Sequence, residues 1–125
     1  MTILIVEDEA FIRSMLIEFL QDEGYRVVTA ANGVEALACL RQYGNKIRMI
    51  LLDLEMPKMS GWQFREHQRR DSGLAAIPVI LMSATLHLEL SAEALDVAAY
   101  LDKPLDLPRL LDVITEYVQP PRQGL

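Results

Sequence analysis

Residues 50–61 read ILLDLEMPKMSG. Ile50 to Leu52 form an unbroken apolar run of the kind found in strands covered on both faces of a parallel sheet. The run ends in a carboxylate, Asp53, and the chain then breaks at Met56-Pro57 and Gly61. A charge at the edge of a core is costly unless something pairs with it. The reading of Asp53 therefore depends on what the rest of the chain can bring to the same edge.

Five short apolar runs, rich in β-branched residues or leucine, recur along the chain. They are TILIV (2–6), RVVTA (26–30), RMILL (48–52), PVILM (78–82) and AAYL (98–101). Segments with helical spacing lie between them. The first carries Ile12, Leu16, Phe19 and Leu20 on one stripe and stops at Gly24. The second follows Asn32, a suitable N-cap, and its stripe reads Val34, Leu37, Ala38 and Arg41. The third begins near Gly61 with Trp62, Phe64 and Arg65; the fourth, near 89–96, is short and weakly patterned. The fifth starts after Leu107-Pro108, proline suiting a first helical turn, and carries Leu110, Leu111, Ile114 and Val118. Strand and helix alternate, which predicts an α/β fold: a five-stranded parallel sheet with helices on both faces, doubly wound as (βα)5. A single domain over 1–119 is expected, with 120–125 a tail or the start of a linker after Pro120.

Composition narrows the function. Eighteen acidic against twelve basic residues leave a net charge of −6, which argues against direct nucleic-acid binding. The single cysteine, Cys39, cannot form an internal disulfide and reads as a small apolar helix residue. The opening MTILIVEDEA lacks the basic start of a signal peptide, and no apolar run approaches the roughly 20 residues of a membrane span. The expectation is a soluble, cytoplasmic protein.

In open parallel sheets, ligands bind beyond the carboxyl ends of the strands, near the point where strand order reverses. Glu7 and Asp8 follow the first strand, Asp53 the third, Ser83 the fourth and Lys103 the fifth. Clustered carboxylates repel one another and need a cation, and hard oxygen ligands favour Mg²⁺. A carboxylate beside such an ion can act as nucleophile toward phosphorus, giving an aspartyl phosphate. A lysine neutralises charge on the transferring group, and a hydroxyl can donate to its oxygens. Each of these residues also has an ordinary reading: strand-end cap for Asp53, surface lysine for Lys103, turn hydroxyl for Ser83, packing for Tyr100. Their convergence on one edge favours the chemical reading. His67 and His87 read as surface residues, and Trp62 with Met49, Met56, Met59 and Met82 as core filler.

ILIVEDEAFIR, ILLDLEMPKMSG, ILMSA and YLDKP, in this order and spacing, resemble the receiver domain of two-component response regulators across about residues 2–118. The resemblance implies a flavodoxin-like fold. It also implies Asp53 as phosphoacceptor, Asp8 as direct Mg²⁺ ligand, Glu7 binding the metal through water, and the Glu55 main-chain carbonyl as a further ligand; Mn²⁺ could substitute. Lys103 would contact the phosphoryl group, with a commonly cis bond to Pro104. Ser83 would be the switch hydroxyl and Tyr100 the switch aromatic. The module would be no enzyme beyond catalysing its own aspartyl phosphorylation and dephosphorylation. Its partners would be a sensor histidine kinase or histidine phosphotransfer protein and a downstream output domain or protein, with a phosphorylation-dependent dimer as a further expectation. Phe11 and Met15 widen the first helix's apolar stripe; they either tuck under loops or, with Ile12 and Met15 foremost, form the docking patch for the donor.

The chain departs from the family in its Glu-Asp acidic pair, where Asp-Asp is commoner, and in LDVAAYL, which lacks the usual Gly-Ala. Two other readings stand beside the first. One is a phosphatase of the haloacid dehalogenase type, which would need a second aspartate where Glu55 stands. The other is a receiver-shaped interaction domain that is never phosphorylated.

Overall fold

A computed structural model describes residues 1–118. The tail expected at 120–125, and the domain end expected at 119, lie outside the described residues. The strands are β1 (Thr2–Val6), β2 (Arg26–Ala30), β3 (Ile47–Asp53), β4 (Val79–Ser83) and β5 (Ala99–Asp102). The helices are α1 (Ala10–Asp22), α2 (Gly33–Tyr43), α3 (Gly61–Arg70), α4 (Leu88–Leu95) and α5 (Leu107–Tyr117), with a short 3₁₀ turn at Gly44–Lys46. All neighbouring strands are parallel, in the order β2-β1-β3-β4-β5. This is the flavodoxin-like doubly wound arrangement, whose order reverses between β1 and β3.

The central strands are apolar at almost every position because both faces are covered. One face buries Leu4, Val6, Ile50, Leu52, Val79 and Leu81 with Leu37, Leu40, Phe64 and Leu95 from α2, α3 and α4. The other buries Ile3, Ile5, Met49, Leu51, Ile80 and Met82 with Leu16, Leu20, Leu110 and Ile114 from α1 and α5. Alternation along each strand deals successive residues to opposite cores.

Strand ends differ from the sequence reading in a way that bears on the site. Asp53 and Ser83 are the last residues of their strands, and β5 runs one residue further, to Asp102. The ladder continues that far because Asp53 pairs with Met82 and Ser83 with Asp102. Asp53 and Ser83 are therefore held within the sheet, while Glu7, Asp8 and Lys103 stand just past the ends of β1 and β5.

The stripe expected on α2 is corrected. Gly33, Ala36, Leu37 and Leu40 face the core, while Val34 is 51% exposed and Ala38 and Arg41 face solvent. Asn32 sets this phase by accepting the Glu35 amide (3.0 Å). Two small residues, Gly33 and Ala36, let the helix approach closely. Trp62 is also not core filler: it is 38% exposed, whereas Phe64 one position on from Gln63 is fully buried. Met49 and Met82 are buried and Met56 and Met59 half-buried, as expected; His67 and His87 are exposed. The α3 start carries a capping box in which the Gln63 amide donates to Ser60 Oγ (3.3 Å) and the Ser60 amide to Gln63 Oε1 (3.0 Å). α4 is short, as its weak pattern implied, and is flanked by two non-glycine residues in the left-handed region, His87 (φ 58°) and Asp96 (φ 51°).

Candidate functional site

The carboxyl ends of β1 and β3 adjoin at the reversal of strand order, so Glu7, Asp8 and Asp53 meet there. One carboxylate oxygen from each lies within 4.8 Å of the others. Glu7 is fully buried and Asp53 only 4% exposed, while Asp8 faces solvent. Such a set of hard oxygen donors, two walled in and one open, suits a small divalent cation that keeps part of its water.

Lys103 reaches into the same space from the end of β5. Its Nζ stands 2.5 Å from Glu7 Oε1 and 3.5 Å from Asp53 Oδ1. Its backbone amide donates to the Ser83 carbonyl (3.0 Å), and its peptide bond to Pro104 is cis, as expected. Burial pushes the Asp53 carboxyl up, repulsion from Glu7 adds to this, and Lys103 opposes both; the result is about 7. Burial pulls the Lys103 ammonium down, but its hydrogen bond to Glu7 and the charges of Asp53 and Glu7 outweigh it, so its pKa is raised. The site thus holds a buried acid that a cation would favour in its ionised form.

Ser83 is buried at the end of β4. Its Oγ accepts from the Thr85 amide (3.0 Å) and donates to Thr85 Oγ1 (2.6 Å), which donates in turn to Glu55 Oε1 (2.8 Å). Tyr100 lies further from the acids. It pairs with Leu81, not with Ser83, and is 41% exposed on the edge strand β5. On α1, Phe11 is 80% exposed and does not tuck under a loop, whereas Ile12 and Met15 are half-buried and Ile12 packs against the core.

Three contributors were missed in the sequence. Arg13 donates to the carbonyls of Glu7 (2.7 Å) and Asp8 (3.3 Å), fixing the turn that carries the acidic pair. Thr85 follows Ser83 by two residues, a spacing at which hydroxyls form local turns and which could have pointed to it. Gly61 packs directly on the backbone of Asp53 and Leu54; nothing local marks that contact.

Among the described residues, no helix is long and apolar enough to cross a membrane. Residues 3–115 match the family described as the response regulator receiver domain. Among curated proteins, the polar-differentiation response regulator DivK of Brucella anthropi is 28% identical over 120 residues, 94% of this chain and 95% of that one. The probable transcriptional regulator ycf29 of Pyropia yezoensis is 30% identical over 118 residues, but the match spans only 52% of its length. Among solved structures, the chemotaxis response regulator CheY4 of Vibrio cholerae superposes with a TM-score of 0.84 at 31% identity, covering 94% of this chain and 98% of that one. A receiver protein from Pseudomonas putida gives a TM-score of 0.83 at 31% identity, covering 92% and 95%.

Proposed function

The chain belongs to the response regulator receiver domain family, and from that premise we propose that Asp53 accepts a phosphoryl group from a histidine kinase or phosphotransfer protein. Receiver domains are signalling modules, so the event is a switch and not a turnover reaction. The observation that carries the assignment is the placement of Asp53: a buried carboxylate within reach of two further acids and 3.5 Å from a lysine ammonium.

A carboxylate oxygen of Asp53 attacks the phosphorus of a phosphohistidine. The new P–O bond forms as the P–N bond breaks, and the electron pair leaves with the imidazole nitrogen, which takes up a proton. Lys103 follows the charge onto the equatorial oxygens, where positioned positive charge lowers the barrier most. Ser83 turns its hydroxyl to a phosphoryl oxygen in the product. Glu7, Asp8, Asp53 and the Glu55 carbonyl would hold Mg²⁺ (or Mn²⁺), Glu7 through water, and the ion would supply further charge neutralisation on the phosphoryl oxygens.

The donor is proposed to dock beside α1, where Phe11 is the exposed apolar residue and Ile12 and Met15 flank it. Output passes to a downstream domain or protein, or to a phosphorylation-dependent dimer, through the face carrying Tyr100. The setting we propose is cytoplasmic.

Acetyl phosphate with Mg²⁺ tests the assignment. Intact-mass spectrometry is expected to show one added phosphoryl group on the wild type and none on Asp53→Asn. Equal uptake by both proteins would remove Asp53 as the acceptor. Steady release of phosphate from a generic phosphomonoester would favour the phosphatase reading instead.

A further inference from the structure

We infer that Thr85 is a positioning residue that holds the Ser83 hydroxyl in the unphosphorylated arrangement, with Glu55 as its anchor; this rests on the reading of Ser83 as the hydroxyl that turns to the phosphoryl group. The two loops that flank the site are joined by one chain of hydrogen bonds. Ser83 Oγ donates to Thr85 Oγ1 at 2.6 Å, and Thr85 Oγ1 donates to Glu55 Oε1 at 2.8 Å. Glu55 lies just beyond β3 and Thr85 just beyond β4, so the chain crosses from the loop after Asp53 to the loop after Ser83.

The direction of this chain is fixed by chemistry. An ionised carboxylate only accepts, so the Thr85 proton must point to Glu55. The Thr85 oxygen is then left as an acceptor, and it takes the one proton that Ser83 has. The Thr85 backbone amide donates to Ser83 Oγ as well, at 3.0 Å, closing a tight local turn around the serine. A charge-bearing end polarises such a chain and strengthens each link. The proton that Ser83 would offer to a phosphoryl oxygen is therefore already committed, and it is committed away from Asp53.

Breaking the link from Ser83 to Thr85 is a step that only the switched state has to take. Stabilisation that one state alone enjoys sets the equilibrium between the two. Thr85 thus raises the threshold for switching without a hydrogen bond to Glu7, Asp8, Asp53 or Lys103. Its hydroxyl is the part that matters, since the methyl group takes no part in the chain.

Beryllofluoride, a stable mimic of the phosphoryl group, gives the test, titrated with Mg²⁺ into the whole protein. Saturable binding by the wild type and none by Asp53→Asn establishes the acceptor reading independently; no binding by the wild type would overturn that reading and the latch with it. Thr85→Val keeps the shape and removes the hydroxyl. It is expected to bind the mimic roughly two- to tenfold more tightly, the span of one net hydrogen bond. Thr85→Ser restores the hydroxyl and should return the affinity to that of the wild type. In the free Thr85→Val protein, amide resonances of residues 83–88 should shift toward their positions in the mimic-bound wild type, which mere loosening of the loop would not produce. Equal or weaker binding by Thr85→Val, with the acceptor reading intact, would overturn the latch.

Discussion

Gly61 lies with its bare α-carbon against the main chain of Asp53 and Leu54. A Cβ there would stand 2.8 Å from Leu54 Cα and run into the Asp53 carbonyl oxygen, and the Gly61 amide donates to the Leu54 carbonyl (2.9 Å). The first turn of α3 is therefore seated on the backbone of the proposed acceptor. Gly61→Ala must either tilt the end of β3 or lift α3, at a cost of about 2 kcal/mol. At an exposed helical glycine the same change stabilises, so the sign is informative. Urea unfolding should show the loss, and acetyl phosphate uptake should fall with it. A protein made more stable by the change would refute the seating.

Arg65 is buried and, among the described residues, hydrogen-bonds to no carboxylate: Nε donates to the Leu95 carbonyl (3.0 Å), and the two terminal nitrogens donate to Gln68 Oε1 and the Asp96 carbonyl (both 2.7 Å). Leu95 and Asp96 close α4, so the guanidinium caps that helix from α3, where positive charge also suits the helix dipole. Gln68 in turn donates to the carbonyls of Leu74 (3.0 Å) and Ile77 (3.1 Å) and pins the connection into β4. Arg65→Met keeps the bulk but strands these carbonyls, and should cost about 3 kcal/mol in urea unfolding. Arg65→Lys should recover only part, because an ammonium cannot copy the planar fork. Full stability in Arg65→Met would show the cap to be incidental.

The strands were legible because burial on both faces leaves apolar runs that few other environments produce, and Glu7, Asp8, Asp53, Ser83 and Lys103 could be placed by being the residues at which those runs stop. Arg65 and Gln68 were half-legible: with Gly61 and Phe64 they occupy the buried stripe of α3, and polar residues on such a stripe signal an internal network. What Arg65 binds could not be read, since its backbone acceptors, the carbonyls of Leu95 and Asp96, lie 30 and 31 residues away at the end of α4. The phase of α2 was misread because Val34 resembles a core residue more than Gly33 and Ala36 do, although close packing selected the smaller pair. Thr85 escaped because its importance comes from Glu55, which meets it only across the site.

Lys103 spends its nearest contact on Glu7 and a longer one on Asp53. A divalent ion entering among the acids must share them with this ammonium. Lys103→Met removes the competitor, so calorimetric titration should show tighter Mg²⁺ binding than in the wild type. The same variant should take up phosphoryl from acetyl phosphate far more slowly, since charge on the transferring group goes unneutralised. Weaker Mg²⁺ binding in Lys103→Met would mean that the lysine shapes the acid cluster more than it competes with the ion.

Glu55 stands two residues past Asp53, exposed, with its carboxylate held by Thr85. In the proposed switch, Ser83 turning to the phosphoryl group would loosen this tie and free the carboxylate to orient a water toward phosphorus. Glu55→Ala should lengthen the lifetime of the aspartyl phosphate severalfold, and Glu55→Lys, which cannot accept a water proton, should do so as well. Decay followed by intact mass after removal of acetyl phosphate measures both. Rates equal to wild type in the two variants would remove Glu55 from the decay path.

The proposed role of Tyr100 is to carry the signal outward. It pairs with Leu81 in the neighbouring strand, and Ser83 lies two residues beyond Leu81, on the same face of the sheet. The ring now stands 41% exposed on the rim of a groove of about 660 Å³ shared with Glu89, Arg109 and Asp112 from α4 and α5. Ser83 moving toward the phosphoryl group vacates space on that face, and an aromatic ring one step along is the group able to fill it. Close packing makes the two ring positions discrete, because an intermediate one either clashes or leaves a void. Burying the ring would remove the groove's one aromatic side chain and leave charged residues beside small apolar ones such as Ala92 and Val97, which changes what can dock there. Tyr100→Ala should therefore accept phosphoryl on Asp53 at the wild-type level, while losing most of the change in self-association or partner binding that beryllofluoride induces. Sedimentation with and without the mimic reads the first, and amide NMR of α4 and α5 reads the rearrangement. A Tyr100→Ala protein that responds as fully as wild type would show the ring to be simple packing, with the signal carried by the loop after Ser83 alone.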